Sequence, residues 1–572
     1  MKHTRRSNAK SRMGCRTCKR RRLKCDETKP CCIRCLAGNR LCEGYGIAID
    51  VPARPASKPP LPNSALARGE SKPEIQPKPA RGLKTISFLN HSESLTFEIF
   101  RSRTVPEMAG VRSRGFWHNV VLPACYDEPA VLHACMALTI ACRWLLTPVC
   151  KSGSSQEEVV RLDTVNQYNK AIQHLKAHVT GLDNLSSLRL TLITCVLFIA
   201  LELCTGQILP AMMHLNEGRK LLHSCVDLDK PGVTDGEPKP LVLSSRPQSV
   251  EEELVAVFAD LDLQSTYFGS ARPQLKLTAH ETRRDPRPSP GVEPLFSFAL
   301  PVEFGSIQEA DQQLTLLANR CLEFVGDRLE PDRQSLRNAA SNFHRQHLCT
   351  LLQRWRQTHD RFCRRVGDAA TSQGSWKQQW ASMLVRHAWL NLGVSLSYWE
   401  LDESDLDAYL PAFTTIVALS SGVVLPETTR KGRFSLESGV VAPLWFTVMK
   451  CRHPRIRRQA LHLLRLAPRE GLWDPDLAAQ LAREAIRLEE GLDTLDEDGL
   501  RWDTPIHRED DDAGQVVPSH RRIATAEMEW ADGEDPVLVM TFRRTACASD
   551  GNRPNTETIV VTRPYETHQT LS

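Results

Sequence analysis

From about residue 90 to residue 490 the apolar positions recur at helical intervals, three to four residues apart, and no run of alternating positions reads as a strand. "DEPAVLHACMALTIACRWLL" predicts a helix with Asp127 as N-cap and Pro129 in its first turn. "LRLTLITCVLFIALEL" is apolar on nearly every side, which predicts a helix through the centre of the fold. Its charge-free core, Leu190 to Leu201, is 12 residues between Arg189 and Glu202, short of the roughly 20 a bilayer span requires. Ser249-x-x-Glu252 and Ser306-x-x-Glu309 have the form of capping boxes and predict two further helix starts. Breaks at 230–248 and 272–305, rich in proline and glycine, read as long loops. Near the C-terminus the period changes to two: "RRIATAEMEW" and "PVLVMTFRR" flank Asp532-Gly533, a hairpin turn signal, and "ETIVVTR" offers a third strand.

The first 89 residues have no such period. Residues 46–82 contain eight prolines, which forbid a helix of even three turns and predict an extended linker. Residues 489–512 carry 11 acidic residues against Arg501 and Arg508, with leucines and Trp502 interspersed, the composition of an acidic activation segment or of a solvated loop. At 572 residues, with 41% hydrophobic and 25% charged, the chain is long enough for several modules. The expected division is a basic arm (1–14), a cysteine-rich module (15–45), a linker (46–89), a large all-α domain (90–490), an acidic segment (491–518) and a small β-hairpin unit with its tail (519–572). No secretory signal is read at the N-terminus, so a reducing compartment and no membrane partner are expected.

Charge is distributed unevenly. Residues 1–42 hold 14 Lys and Arg against Asp26 and Glu27, a net +12, so with +5 overall the other 530 residues carry −7. The same segment holds seven of the 19 cysteines, whereas the other 12 fall singly in apolar surroundings, as at Cys135, Cys195 and Cys321, where a thiol packs as a small hydrophobe. Six of the seven are spaced Cys15-x2-Cys18-x6-Cys25-x6-Cys32-x2-Cys35-x6-Cys42, two copies of C-x2-C-x6-C. The x2 spacing lets two thiolates meet one tetrahedral zinc, and three thiolates per half leave each of two zincs one ligand short. Spacing allows two cysteines to bridge both ions. Cys31 is read as a spare thiol beside Cys32, and a slipped ligand choice there stays open.

"CRTCKRRRLKCDETKPCCIRC" followed by "LC", with Lys29-Pro30 joining the halves, closely resembles the fungal binuclear zinc cluster DNA-binding domain. The resemblance implies two zinc ions bridged by Cys15 and Cys32, double-stranded DNA as partner and a CGG-like half-site as target. By position in the family Arg21 and Arg22 are the base readers, and arginine can bond bidentately to guanine. Arg16, Lys19, Arg20, Lys24, Arg34 and Arg40 are expected to hold phosphates and set orientation. Many relatives place a coiled coil after the cluster; here proline forbids one, so the module is expected to act as a monomer or through a dimer made elsewhere.

"FWHNVVLPACYDEPAVLHACMAL", "YNKAIQHL" and "HLNEGRKLL" resemble the helical regulatory region of fungal transcription factors, and residues 442–490 resemble a segment recurrent near its end. In that region Trp117, Trp445 and Trp473 are expected to be packing residues. Arg455, Arg457, Arg458 and Arg465 are expected to form a solvated helix face with acidic partners nearby, rather than a second nucleic-acid surface. No phosphate loop, H-E-x-x-H, G-x-S-x-G or dinucleotide fingerprint occurs, so no enzyme is predicted. The sequence thus points to a nuclear transcription regulator, with co-regulators or the transcription machinery as further partners. The alternative is a zinc-dependent interaction scaffold that reads no sequence.

Overall fold

A computed structural model describes residues 17–18, 21, 23–26 and 34–35 near the N-terminus. Beyond these it describes 90–110, 112–145, 155–178, 185–229, 240–269, 272–279, 300–329, 339–371, 374–397, 403–425, 434–492, 517–530, 537–546 and 555–564. The chain forms two units, Met1–Arg81 and Gly82–Ser572. The basic arm, the linker, Asp532-Gly533 and all but the ends of the acidic segment lie outside the described residues.

The second unit is a helical array in which sequence neighbours pack on one another. Pro129–Leu145 packs on Ser155–His178 and on Leu185–Cys204, which in turn packs on Ile208–Asp229. Leu185–Cys204 is the central helix expected, with 16 of its 20 residues buried. Pro129 opens its helix as predicted, but Asp127 is the last residue of the preceding helix Leu122–Asp127; extended Glu128 separates the two. The N-cap position therefore falls on Glu128, because the Asp127 backbone is already committed to the turn before.

Two helical stretches widen into π turns, Phe100–Thr104 and Phe116–Val121. Each is followed by a helix whose second residue is a proline, Pro106 or Pro123. Proline donates no N–H and its ring crowds the carbonyl four residues back, and a wider turn accommodates both. Both predicted capping residues work: Ser249 Oγ accepts from Glu252 N–H at 3.2 Å and Ser306 Oγ from Glu309 N–H at 3.1 Å. Their glutamates reach one residue further back than a capping box requires, to the N–H groups of Gln248 and Gly305. Asn90 and Glu93 make the fully reciprocal box.

The helical unit also contains short strands that no alternation announces. β1 (Leu241–Leu243) pairs in parallel with β2 (Leu277–Ala279), and β3 (Phe434–Ser435) with β4 (Arg469–Glu470). Strands of two or three residues are too short to show a period, and the two stretches read as loops contain β1 and β2. Near the C-terminus β5 (Ile523–Trp530), β6 (Val537–Ala546) and β7 (Asn555–Pro564) form an antiparallel sheet in that order. Leu538, Met540 and Phe542 on central β6 are buried, with alternate residues more exposed.

A second apolar core gathers around Trp355, whose ring lies between His359 and His387 at 5.0 and 5.3 Å and whose Nε1 donates to the Ala310 carbonyl at 2.9 Å. Trp117 is fully buried, and Trp473 packs on Trp445 at 5.3 Å and on Phe268 at 5.5 Å, so these tryptophans are packing residues. Cys135, Cys195 and Cys321 are buried as expected, yet not all such cysteines stand singly. Cys125 and Cys135 bring their sulfurs to 3.6 Å, as do Cys142 and Cys204.

The basic helix Pro454–Leu466 differs from expectation. Arg457 has no exposed surface and pairs with buried Glu489, while Arg458 meets Glu490. The acidic partners are present and Arg455, Arg458 and Arg465 keep partial exposure, but Arg457 is buried. The helix packs against Leu410–Val424, Val441–Lys450 and Pro475–Glu490.

Candidate nucleic-acid interface and metal centre

In the N-terminal unit the chain turns helically at Thr17 and Cys18. Arg21 N–H donates to the Thr17 carbonyl at 3.1 Å, and Leu23 N–H reaches back to the Cys18 carbonyl at 3.0 Å. The second bond spans six residues, the pattern with which helices close. Arg21, Leu23 and Lys24 emerge exposed, while Cys25 returns to the interior. Arg34 and Cys35 form the corresponding helical turn of the second repeat.

Thiols dominate the buried positions among the described residues of this unit. Among its described residues the buried ones are Thr17, Cys18, Cys25 and Cys35, and its one described aliphatic side chain, Leu23, is 41% exposed. Cys18 Sγ and Cys35 Sγ, one from each repeat, lie 3.9 Å apart. Thiolates on one tetrahedral zinc, at about 2.3 Å from the metal, stand roughly 3.8 Å apart, so the two halves meet at the spacing of a compact metal–thiolate cluster. Among the described residues no hydrocarbon side chain is buried and thiols converge, which suits a fold organised by metal. The residues present therefore fit zinc. Cys15, Cys32 and Cys42, with Cys31, lie outside the described residues. No group of three or more potential ligands assembles among the described residues.

Of the predicted DNA contacts, Arg21, Lys24 and Arg34 are described and exposed; Arg16, Lys19, Arg20, Arg22 and Arg40 lie outside the described residues. Arg34 has a task the sequence did not suggest. Its backbone N–H donates to Asp26 Oδ2 at 2.9 Å and its Nη1 to the Lys24 carbonyl at 2.8 Å. Those bonds tie the second repeat to the segment that carries Lys24, and the signal for them was an acidic pair, Asp26-Glu27, amid cations. Arg21 and Lys24 are thus exposed beside a braced pair of turns, where cations can face an anionic polymer.

Comparison with known proteins places this geometry. Residues 13–50 match the model of the fungal Zn(2)-Cys(6) binuclear cluster domain, and residues 95–362 match that of the fungal specific transcription factor domain. The chain is similar to the aspercryptin biosynthesis cluster-specific transcription regulator atnN of Emericella nidulans, 25% identical over 85% of this chain and 88% of that protein. It is also similar to the transcription regulator lscL of Purpureocillium lilacinum, 28% identical over 36% of this chain and 47% of that protein. The transcriptional regulatory protein moc3 of Schizosaccharomyces pombe is 61% identical over 36 residues, 6% of this chain and 7% of that protein. No solved structure matches the chain.

Proposed function

Because this chain belongs to the fungal zinc cluster transcription regulators, proteins that bind DNA in a sequence-specific manner and are not enzymes, we propose how its own residues do so. Two zinc ions are held by Cys15, Cys18, Cys25, Cys32, Cys35 and Cys42, with Cys15 and Cys32 as bridges. The ions supply folding energy and rigidity, not reaction chemistry. The observation that carries this is the convergence of buried Cys18 and Cys35, one from each repeat, in a unit whose Arg21 and Lys24 are exposed.

Arg21 and Arg22 read base edges in the major groove of a CGG-like triplet. Arg16, Lys19, Arg20, Lys24 and Arg40 hold phosphates, and Arg34 combines that role with its brace to Lys24. The protein acts in the nucleus, with the helical unit (90–490) regulating and the acidic segment engaging co-regulators. The relative that spans most of the chain is named for a biosynthetic gene cluster, and we infer that this chain also controls clustered biosynthetic genes.

Selection of bound sequences from a random DNA pool by the full chain tests the assignment. Enrichment of CGG-like triplets is expected. Arg22→Ala should lose about 1 to 3 kcal/mol of discrimination at one base step. Arg40→Ala should weaken all sequences alike and lower the salt slope by about one unit. Equal losses by both variants on selected and random DNA would overturn the division between readers and phosphate contacts.

A further inference from the structure

The helical unit forms a half-open cavity of about 530 Å³, within the range of small-molecule sites. Six stretches line it: the 112–119 turn, the strand end at Leu243–Pro247, Glu253 to Leu261 of Val250–Tyr267, the start of Ile307–Leu329, Gln379 and Met383 of Gly374–Leu396, and Leu436–Glu437. Leu243, Val257, Leu261, Ile307 and Met383 give it apolar sides. Much of its charge is already satisfied. Arg112 pairs with Asp260 at 3.0 Å and takes up Glu437, while Asp311 pairs with Arg386 at 3.3 Å.

Glu253 is different. It lines the cavity with 7% of its surface exposed, and among the described residues no lysine or arginine pairs with it; its donor is the side-chain amide of Asn119. The carboxylate lies directly against the 112–119 turn, since a Cβ on Gly115 would fall within 2.0 Å of its Oε1. Among the described residues, the other buried carboxylates meet a cation or several backbone donors. Lys170 meets Glu93, Arg189 meets Glu251, Arg219 meets Asp262, and Arg452 and Arg457 meet Glu489. Arg487 and Arg563 meet Glu484, and His214 with Tyr168 faces Glu202. Glu437 and Glu470 accept backbone N–H groups. A buried carboxylate without a cation is costly, and burial here raises the carboxyl to about 7. A ligand that brings a positive charge removes that cost.

We propose that this cavity is a binding site for a small organic amine, whose ammonium group pairs with Glu253 while its apolar body lies along Leu243, Val257 and Met383. Arg114 and His118 also line the cavity, and Arg112 is engaged by Glu437 and Asp260, so the buried charge there without a partner of opposite sign among the described residues is negative. The site involves neither the zinc cluster nor the DNA-reading residues, so its fate is independent of their assignment.

The test is isothermal titration of the full chain with n-hexylamine, 2-phenylethylamine and spermidine, against 1-hexanol, 2-phenylethanol and hexanoate. At least one amine is expected to bind, and its alcohol of the same skeleton to bind at least about ten-fold more weakly. Glu253→Gln, which keeps the shape and the Asn119 partner but removes the charge, should weaken the amine by about ten-fold or more. Its thermal transition, recorded alongside, confirms that the variant is folded; should it not fold, the comparison of amine with alcohol on the unaltered chain decides. Absence of binding by every amine at about 10 mM, equal binding of amine and alcohol, or undiminished binding by folded Glu253→Gln would overturn the proposal.

Discussion

Arg457 and Glu489 form an ion pair from which solvent is wholly excluded, with Nη2 and Oε2 2.7 Å apart and neither side chain exposed. The remaining capacity of Glu489 is spent on its surroundings: Oε1 accepts the Ile523 N–H at 2.6 Å and pairs with Arg452 at 2.9 Å. One buried carboxylate thus joins the Pro454–Leu466 helix, its own helix Pro475–Glu490 and the first strand of the C-terminal sheet. Arg522 and Lys450 add to that seam, through Asp407 at 2.7 Å and the Ala524 carbonyl at 2.8 Å.

Glu489→Ala is therefore expected to destabilise the helical unit by about 3 to 5 kcal/mol, because it leaves two buried guanidinium groups short of a partner. The double variant Arg457→Met/Glu489→Leu should cost less than Glu489→Ala alone. Urea unfolding measures both. Hydrogen exchange should show β5 losing protection first in the single variant.

Glu470 anchors the start of the Val441–Lys450 helix, accepting from the N–H groups of Gly439, Val440 and Val441 at 2.8, 3.1 and 3.0 Å. Glu470→Ala leaves buried donors unsatisfied and should cost about 3 kcal/mol. A Cβ on Gly439 would stand 2.4 Å from Glu470 Oε1, so Gly439→Ala is expected to destabilise through the same carboxylate. If the two variants combined cost little more than either alone in thermal unfolding, they share that contact.

Burial beside Trp355 pushes His387 down to about 4, and its Nε2 sits 2.9 Å from the Leu352 carbonyl. In the unfolded chain histidine titrates near about 6.5. Between those values the unfolded state holds a proton that the folded state does not, so stability falls as pH is lowered through that window, by on the order of 3 kcal/mol. His359, also lowered by burial, acts in the same direction. Denaturant midpoints from pH 7 to 4 should show a shallower decline in His387→Gln than in the unaltered chain.

The thiol-lined interior of the N-terminal unit makes a stoichiometric prediction. Native mass spectrometry of the full chain should find two zinc ions, retained in Cys31→Ser and lost in part or whole in Cys18→Ser. Retention of both ions by Cys18→Ser would remove that cysteine from the ligand set.

Local chemistry made much of this protein legible in its sequence. The C-x2-C-x6-C repeat is a spacing, the basic segment a composition, Leu185–Cys204 a period, and Ser249 and Ser306 are caps; each is written within a few turns of chain. Asp127 could not be separated from Glu128 as a helix start because the preceding helix runs up to it, and β1 and β2 are too short to alternate. What tertiary structure alone decided are meetings across long stretches of chain. Arg457 appeared as one cation in a basic run until Glu489, 32 residues on, was folded against it out of water. Glu253 is one acid in a helical first turn until the segment around Gly115 and Asn119 packs against it, with no lysine or arginine pairing with it among the described residues. Sequence pattern records which residues share a helix face, whereas desolvation and pairing depend on what is folded against that face, and no local period encodes the second.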